Sequence, residues 1–135
     1  MGLEEEILST YKTVAVVGLS SNPERASNRV ARYLKDHGYR IIPVNPRETE
    51  VLGEKAYPDL CAVPDDVDVV DIFREAKAVP RVVAQAMYAG AKAVWMQEGI
   101  VHEAAAARAR AAGMAVVMDH CMMKEHRRIM RRKNR

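Results

Sequence analysis

The feature that most constrains the fold lies near the N-terminus, where an apolar run leads through a glycine into a polar loop and an amphipathic segment. Residues 14–17 contain no polar side chain, Gly18 follows them, and residues 27–36 carry apolar side chains at helical spacing. A short, continuously apolar run predicts a strand buried on both faces, which is typical of parallel sheets covered by helices. This segment therefore predicts the first strand, glycine turn and helix of an α/β fold.

The same alternation continues to the C-terminus. The predicted strands are residues 14–17, 40–44, 67–72, 92–96 and 115–118. The predicted helices are residues 27–36, 80–89 and 102–112, an N-terminal helix within 1–12 (Leu3, Ile7 and Leu8 on one face), a short helix near 59–62 and a last helix from about 124. A loop is predicted through Gly53 and Pro58. This pattern predicts a single Rossmann-like α/β domain over residues 1–135, with a five-stranded, mostly parallel sheet and helices on both faces.

Length and apolar patterning also suggest a location. The 135 residues include no apolar stretch of membrane-spanning length, and the chain begins with an acidic segment rather than a signal peptide. We therefore expect a cytoplasmic protein that does not bind membranes. Cys61 and Cys121 match no zinc-ligand spacing, so free thiols are expected.

The positive charge of the chain is concentrated at its C-terminus. Seven of the last twelve residues are basic and one is acidic, whereas the net charge of the whole chain is only +3. Residues 124–135 are therefore predicted to form a basic C-terminal helix or tail, solvated and partly frayed. The charge pattern does not indicate a nucleic-acid surface over the whole domain, and weak binding of nucleic acid or an acidic surface by this tail is kept as an alternative.

The loop after the first strand differs from the dinucleotide-binding fingerprint. At the three glycine positions of G-x-G-x-x-G stand Gly18, Ser20 and Pro23. The loop instead offers the hydroxyls of Ser20 and Ser21 and the guanidinium of Arg25. We predict that it binds phosphate at the helix N-terminus through side chains as well as backbone, with Ser27 placed to cap the helix.

The end of the second strand indicates a phosphorylated ribose. Asn45, Pro46 and Arg47 stand where an NAD enzyme has an acidic residue. A guanidinium forms a bidentate pair with phosphate, so Arg47 favours a ligand that carries a phosphate on its ribose. NADP and coenzyme A (CoA) both carry one, and this argument leaves the two open.

Polar or aromatic residues follow the other three strands as well. Phe73 and Arg74 follow the third strand, Gln97 and Gly99 the fourth, and residues 119–121 the fifth. Because parallel strands end at one edge of the sheet, these residues are predicted to share a ligand crevice. Asp71 and Asp119 are interpreted as strand-end groups that cap loops and helices.

The sequence indicates neither a catalytic group nor a metal site. His120, Cys121 and His126 are the nearest candidates, but adjacent residues point in opposite directions and no fourth ligand is evident. His120 or Lys124 is expected to favour the thiolate of Cys121.

Five segments, spread over roughly residues 10 to 130, resemble the small stand-alone CoA-binding proteins, which are similar to the CoA-binding domain of the succinyl-CoA synthetase α subunit. The segments are VGLSSNPERAS (17–27), YRIIPVNP (39–46), VVDIFR (69–74), AVWMQEGI (93–100) and MDHC (118–121). The family usually has Arg where this chain has His120.

The resemblance implies a CoA or acyl-CoA ligand. It places the phosphates on the first loop, the adenosine moiety on the turn Val44, Asn45 and Pro46, and the remaining ligand along Phe73, Arg74 and Gln97; Phe73 supports either adenine or the pantetheine arm. Cys121 is expected near the ligand. The phosphorylated histidine of the synthetase belongs to a domain outside the similarity, so binding without catalysis is expected. An NADP-dependent oxidoreductase is the alternative enzyme, and a homodimer or a partner enzyme is left open.

Overall fold

The computed structural model describes residues 2–134. The strands in this range are β1 (Thr13–Val17), β2 (Arg40–Val44), β3 (Glu50–Val51), β4 (Glu54–Lys55), β5 (Val69–Ile72), β6 (Ala93–Met96) and β7 (Ala115–Val117). The α-helices are α1 (Leu3–Thr10), α2 (Ala26–Asp36), α3 (Val79–Tyr88), α4 (Glu103–Ala111) and α5 (Met122–Lys133). Single 3₁₀ turns lie at Leu60–Ala62 and Ala76–Ala78.

The main sheet is parallel, with the strand order β2-β1-β5-β6-β7. This confirms the predicted five-stranded Rossmann-like α/β architecture, and each of its strands lies within two residues of its predicted bounds. The chain leaves β1 toward β2 on one side and later returns to β5 on the other side. The strand order therefore reverses beside β1, and ligands of open α/β sheets bind at the carboxyl ends of the strands at such a point.

Alternate residues of each strand pack on opposite faces of the sheet. Val70, Ile72 and Met96 contribute to a core under α3 and α4. Val16 and Trp95 contribute to the core under α1, α2 and α5. Helices cover both faces, and this explains why the strands are apolar throughout rather than alternating with polar residues.

One element was missed from the sequence. The segment predicted as a loop through Gly53 contains the two-stranded antiparallel hairpin β3-β4. Leu52 and Gly53, at its turn, both have positive φ (54° and 78°), as a two-residue type I′ hairpin turn requires. Lys35 of α2 donates a hydrogen bond to the Leu52 carbonyl (2.5 Å) and pairs with Glu54 (3.0 Å), which anchors the hairpin to the helix.

The predicted basic C-terminal helix is present, but the expectation that it is solvated all round and partly frayed was wrong. Helix α5 begins at Met122, two residues before the predicted start, and buries Met122, His126 and Ile129. Arg132 and Lys133 pair with the buried carboxylate of Glu5 on α1. Because α5 has an amphipathic face, it packs on α1 and α2 instead of extending into solvent. Arg135 lies outside the described residues.

Helix α1 also differs in detail from its prediction. Ile7 and Leu8 are buried, but Leu3 is exposed. The buried apolar face of α1 is therefore limited to the turn that carries Ile7 and Leu8, and Glu5 is buried one turn earlier in the same helix. None of the helices within residues 2–134 has both the length and the apolar character needed to span a membrane.

Candidate ligand-binding site

Gly18 brings the ends of β1, β2 and β5 together. Its φ is +89°, and a Cβ atom at this position would lie 2.5 Å from the carbonyl oxygen of Phe73, at the end of β5. Its N–H donates to the carbonyl of Val44, at the end of β2 (2.8 Å). Glycine is therefore required by the close approach of backbone as well as by the turn. Its contact with a ligand stays a prediction.

The loop between β1 and α2 is held by its own side chains. The Ser20 hydroxyl accepts a hydrogen bond from the Asn22 N–H (3.0 Å), and the Asn22 side chain accepts one from the Glu24 N–H (2.9 Å). Asn28 of α2 donates to the Ser20 carbonyl (2.9 Å). These turns fix the loop shape before any ligand arrives.

The predicted N-cap role of Ser27 was wrong. Helix α2 begins at Ala26 with Arg25 as its extended N-cap residue, and the Ser27 hydroxyl accepts a hydrogen bond from the Ser20 N–H instead (3.1 Å). The loop folds back over the first turn of the helix, so this hydroxyl reaches loop backbone. No side chain of the described residues caps α2. Because the first backbone N–H groups of α2 have no side-chain cap, this helix start favours the binding of an anion.

The loop already holds a carboxylate. The Ser21 N–H donates to Glu48 Oε2 at 2.7 Å, a short distance typical of a charge-assisted hydrogen bond. Both residues are in solvent contact. The loop backbone therefore binds an anionic oxygen, although here the oxygen comes from the protein itself.

The end of β2 is tied to this loop by Asn45. Its side-chain amide donates to the Leu19 carbonyl (3.0 Å), and its side-chain oxygen accepts from the Arg47 N–H (2.9 Å). Val44 is buried at the end of β2, whereas Pro46 and Arg47 are exposed. The Arg47 side chain is thus exposed to solvent, two residues after the strand-end asparagine that contacts the loop, and its predicted phosphate contact stays a prediction.

A cavity of about 310 Å³ opens beside the loop at the carboxyl ends of β5 and β6. It is lined by Ala26, Val30, Phe73, Arg74, Glu75, Gln97, Glu98, Ile100 and Cys121. The structure therefore brings together four of the predicted site residues, namely Phe73, Arg74, Gln97 and Cys121. Ala26 and Val30 belong to the first turns of α2, so the cavity is continuous with the helix that follows the loop.

Two of the predicted site residues, Arg74 and Gly99, have partners within the protein. Arg74 pairs with Glu75 at 3.7 Å at the mouth of the cavity, where both side chains are exposed. Gly99 does not line the cavity, and its N–H donates to Asp119 Oδ1 (2.7 Å). This bond confirms the interpretation of Asp119 as a group that satisfies loop backbone.

Gln97 is a buried polar group with an unused acceptor. Its side chain is 3% exposed, and its Nε2 donates weakly to the His120 carbonyl (3.4 Å). Its Oε1 has no hydrogen-bond partner among the described residues. A buried acceptor without a donor costs free energy, so this oxygen is suited to a ligand N–H or S–H group in the cavity.

Asp71 was wrongly interpreted from the sequence as a capping group at a strand end. It lies within β5, opposite Val16 of β1 and Trp95 of β6, and is fully buried. Neither carboxyl oxygen has a partner among the described residues. Burial raises the pKa of Asp71 well above its usual value, because the ionised form loses its hydration. The sequence signal that could have predicted this burial was the position of Asp71 inside an otherwise apolar strand.

The expectation of an activated Cys121 thiolate was also wrong. Burial raises the pKa of the Cys121 thiol, and the backbone N–H groups of Met123 and Lys124 offset this only in part. The Lys124 ammonium is engaged elsewhere, with both carboxylate oxygens of Glu98 (2.9 and 3.1 Å). Cys121 is therefore a buried thiol at the cavity wall, and its burial disfavours the thiolate. Within residues 2–134, no three His, Cys, Asp or Glu side chains are grouped as metal ligands.

These observations define a Rossmann-like α/β fold with an ordered loop between β1 and α2 and an adjoining cavity at the carboxyl ends of the strands. Residues 12–127 match the model of the CoA-binding domain family. The chain belongs to that family.

The relatives include both stand-alone and much longer proteins. The chain is 39% identical over 122 residues to the uncharacterized protein YneT of Bacillus subtilis (strain 168), with 90% of each chain covered. It is 37% identical over 95 residues to the ADP-forming acetate–CoA ligase II of Archaeoglobus fulgidus, where 68% of this chain corresponds to only 14% of the ligase. The ligase therefore contains the matched region as a small part of a larger protein.

A solved structure confirms the architecture. A hypothetical protein from Pyrococcus horikoshii OT3 superposes with a TM-score of 0.91 at 45% identity, covering 94% of this chain and 89% of that one. Family membership supports CoA binding as the general function of the chain.

Proposed function

We propose that this chain binds CoA or an acyl-CoA as one domain without catalysis of its own. The phosphates lie on residues 18–27, the adenosine lies at Val44, Asn45 and Pro46, and the pantetheine arm enters the cavity beside Gln97. The observation that carries this proposal is the continuity of loop, first turns of α2 and cavity, which offers one path for a charged head and a long arm.

The cavity suits the pantetheine arm in size and chemistry. Its volume is at the lower end of the range for small-molecule sites, and its wall combines Val30, Phe73 and Ile100 with the polar side chain of Gln97. Pantetheine alternates aliphatic segments with amides. We assign the Gln97 Oε1 acceptor to an amide N–H of this arm, and Phe73 to the aliphatic part.

The absence of catalysis is proposed from the pairing of charged groups near the cavity. Arg74 pairs with Glu75, and Lys124 pairs with Glu98. These pairs use the charges that acid–base chemistry at the cavity mouth needs. The test is incubation with acetyl-CoA, in which hydrolysis above the spontaneous rate contradicts the proposal.

The ligand is tested by calorimetry with CoA, dephospho-CoA and NADP, and by native mass spectrometry of the purified chain. CoA is expected to bind about ten- to a hundredfold more tightly than dephospho-CoA, as a hydrogen bond between charged groups provides. Arg47→Ala is expected to abolish that difference. Arg81→Ala, an exposed arginine on α3, is the matched control. Equal affinities of the wild type for CoA and dephospho-CoA contradict the assignment of Arg47.

The two alternative functions are separated by other measurements. Tighter binding of NADP than of CoA, together with hydride transfer, favours the oxidoreductase. Nucleic-acid or acidic-surface binding by the C-terminal helix is tested by Arg127→Glu and Arg131→Glu, because deletion of residues 127–135 also removes the buried Ile129. Salt-dependent binding lost in these variants supports that alternative. Homodimerisation, a partner enzyme and a cytoplasmic location stay predictions.

A further inference from the structure

Cys121 lies in the cavity that the ligand arm is proposed to enter. The residue is 7% exposed and is the cavity-lining cysteine, whereas Cys61 is exposed and lies outside the cavity lining. A buried cysteine by itself is most often a small apolar residue of the core. A ligand near the Cys121 sulfur therefore needs support from a second residue of the same cavity.

Gln97 supplies that second indication. Gln97 lines the same cavity and is only 3% exposed. Its Oε1 acceptor has no partner among the described residues. Both residues line one cavity of about 310 Å³, so we expect a ligand held at this oxygen to come near the Cys121 sulfur. The wall of one cavity therefore carries both a buried polar acceptor and a thiol.

The entrance of the cavity selects the kind of molecule that reaches the thiol. Arg74, Glu75 and Glu98 lie exposed at its mouth, and Ala26 and Val30 connect it to the loop after β1. A ligand whose phosphates sit on the loop extends its far end along α2 toward Cys121. In CoA that far end is a thiol.

We propose that Cys121 exchanges with CoA disulfide to form a mixed disulfide between the protein and CoA, a step that rests on the proposed function. The Cys121 thiol loses its proton to solvent, and its sulfur attacks one sulfur of the CoA disulfide. A protein–CoA disulfide bond forms, the CoA–CoA disulfide bond breaks, and the second CoA leaves as a thiolate that takes up a proton. CoA disulfide is the oxidant, and free thiol reverses the step.

The two cysteines provide a control within one molecule. CoA disulfide is expected to add one CoA to the wild type and to Cys61→Ser, and none to Cys121→Ser, in intact-mass measurements. Bis(2-hydroxyethyl) disulfide, which lacks the nucleotide, is expected to modify the exposed Cys61 first. A preference of CoA disulfide for Cys61, or equal rates of both reagents at Cys121, overturns the proposal, because recognition of the nucleotide then plays no part.

Gln97 is tested as the anchor. Gln97→Met is expected to slow the reaction of Cys121 with CoA disulfide about fivefold, the effect of one lost hydrogen bond, without changing its reaction with bis(2-hydroxyethyl) disulfide. Adenosine 3′,5′-bisphosphate, the head of CoA, is expected to slow the CoA reaction of the wild type in the same selective way. This competition needs no substitution, so it tests whether recognition of the nucleotide directs the reaction to Cys121 even if Gln97→Met unfolds, and no slowing by the bisphosphate overturns the proposal.

Failure of this proposal is distinguishable from failure of the proposed function. Calorimetry of the wild type with reduced CoA, in the presence of a phosphine reductant, measures binding without exchange. Binding without adduct formation overturns the exchange at Cys121 and leaves the proposed function intact. Neither binding nor adduct formation overturns both.

Discussion

Replacing Gly18 by alanine is expected to destabilise the chain more than a glycine replacement at an unobstructed position with the same backbone conformation. Gly18 has φ +89° and its new Cβ meets the Phe73 carbonyl oxygen at 2.5 Å, whereas Gly113 has φ +91° and nothing within 4 Å of its Cβ position. Both variants therefore place alanine in a left-handed backbone conformation, and only Gly18→Ala also brings a Cβ atom into a clash with the Phe73 backbone.

The magnitude follows from these two terms. A left-handed conformation costs an L-residue about 1–2 kcal/mol, and overpacking against backbone adds about 1–3 kcal/mol. Gly113→Ala is thus expected to lose about 1–2 kcal/mol of unfolding free energy, and Gly18→Ala about 2–5 kcal/mol. The effect of alanine on the unfolded chain is similar for both and cancels in the comparison.

Urea unfolding of the wild type and both variants measures these free energies directly. A larger loss for Gly18→Ala supports the close approach between the ends of β1 and β5 as the reason for glycine. Equal losses refute this reasoning, because the Phe73 backbone then moves aside at no cost. A loss for Gly18→Ala smaller than that for Gly113→Ala refutes it as well.

Three further predictions concern charged groups. Because the pKa of Asp71 is raised in the folded chain, the folded chain keeps this proton to higher pH than the unfolded chain does. The free energy of unfolding is therefore highest at low pH and falls as pH rises from 3.8 through the raised folded pKa. Asp71→Asn is expected to remove this fall, which is up to about 1.4 kcal/mol per pH unit, as measured by urea unfolding at a series of pH values. Glu48→Gln is expected to tighten CoA binding in calorimetry, because the carboxylate on the Ser21 N–H competes with phosphate. Arg132→Ala is expected to cost about 1–3 kcal/mol by leaving a buried carboxylate of α1 without its main partner, whereas Arg131→Ala, an exposed neighbour, is the control with little effect.

Each of these predictions has a contradicting result. A parallel pH dependence of the wild type and Asp71→Asn shows that Asp71 titrates normally. Weaker CoA binding by Glu48→Gln shows that this carboxylate supports the loop rather than competing with the ligand. Equal stabilities of the two arginine variants show that the pair between α1 and α5 contributes nothing measurable.

The sequence alone predicted the five strands of the main sheet, and it predicted a ligand crevice at the edge of the sheet where the structure has a cavity. Residues 14–17 and 93–96 are short apolar runs, and such runs form buried strands wherever the chain places helices on both sides. Gly18 and the polar residues after it mark the first strand end. These signals depend on neighbours within a few positions, so they were available without the fold.

Local signals could not decide which groups meet across the fold. Ser27 has the composition of a helix cap, and only the folding back of the loop shows that it binds the Ser20 N–H. Helix α5 is basic and polar by composition, and only its packing on Glu5 of α1 shows that it is part of the core. In both cases the partner lies on another element.

The cavity is the clearest product of tertiary structure. Phe73, Gln97 and Cys121 are separated by more than twenty residues each along the chain, and the parallel sheet brings their strand ends to one edge. The sequence suggested their proximity through that rule, but not that Gln97 would be buried with an acceptor that has no partner within residues 2–134. The burial of Asp71 likewise depended on the helices that cover β5, because solvent exclusion is a property of the whole packed fold and not of the strand that carries the residue.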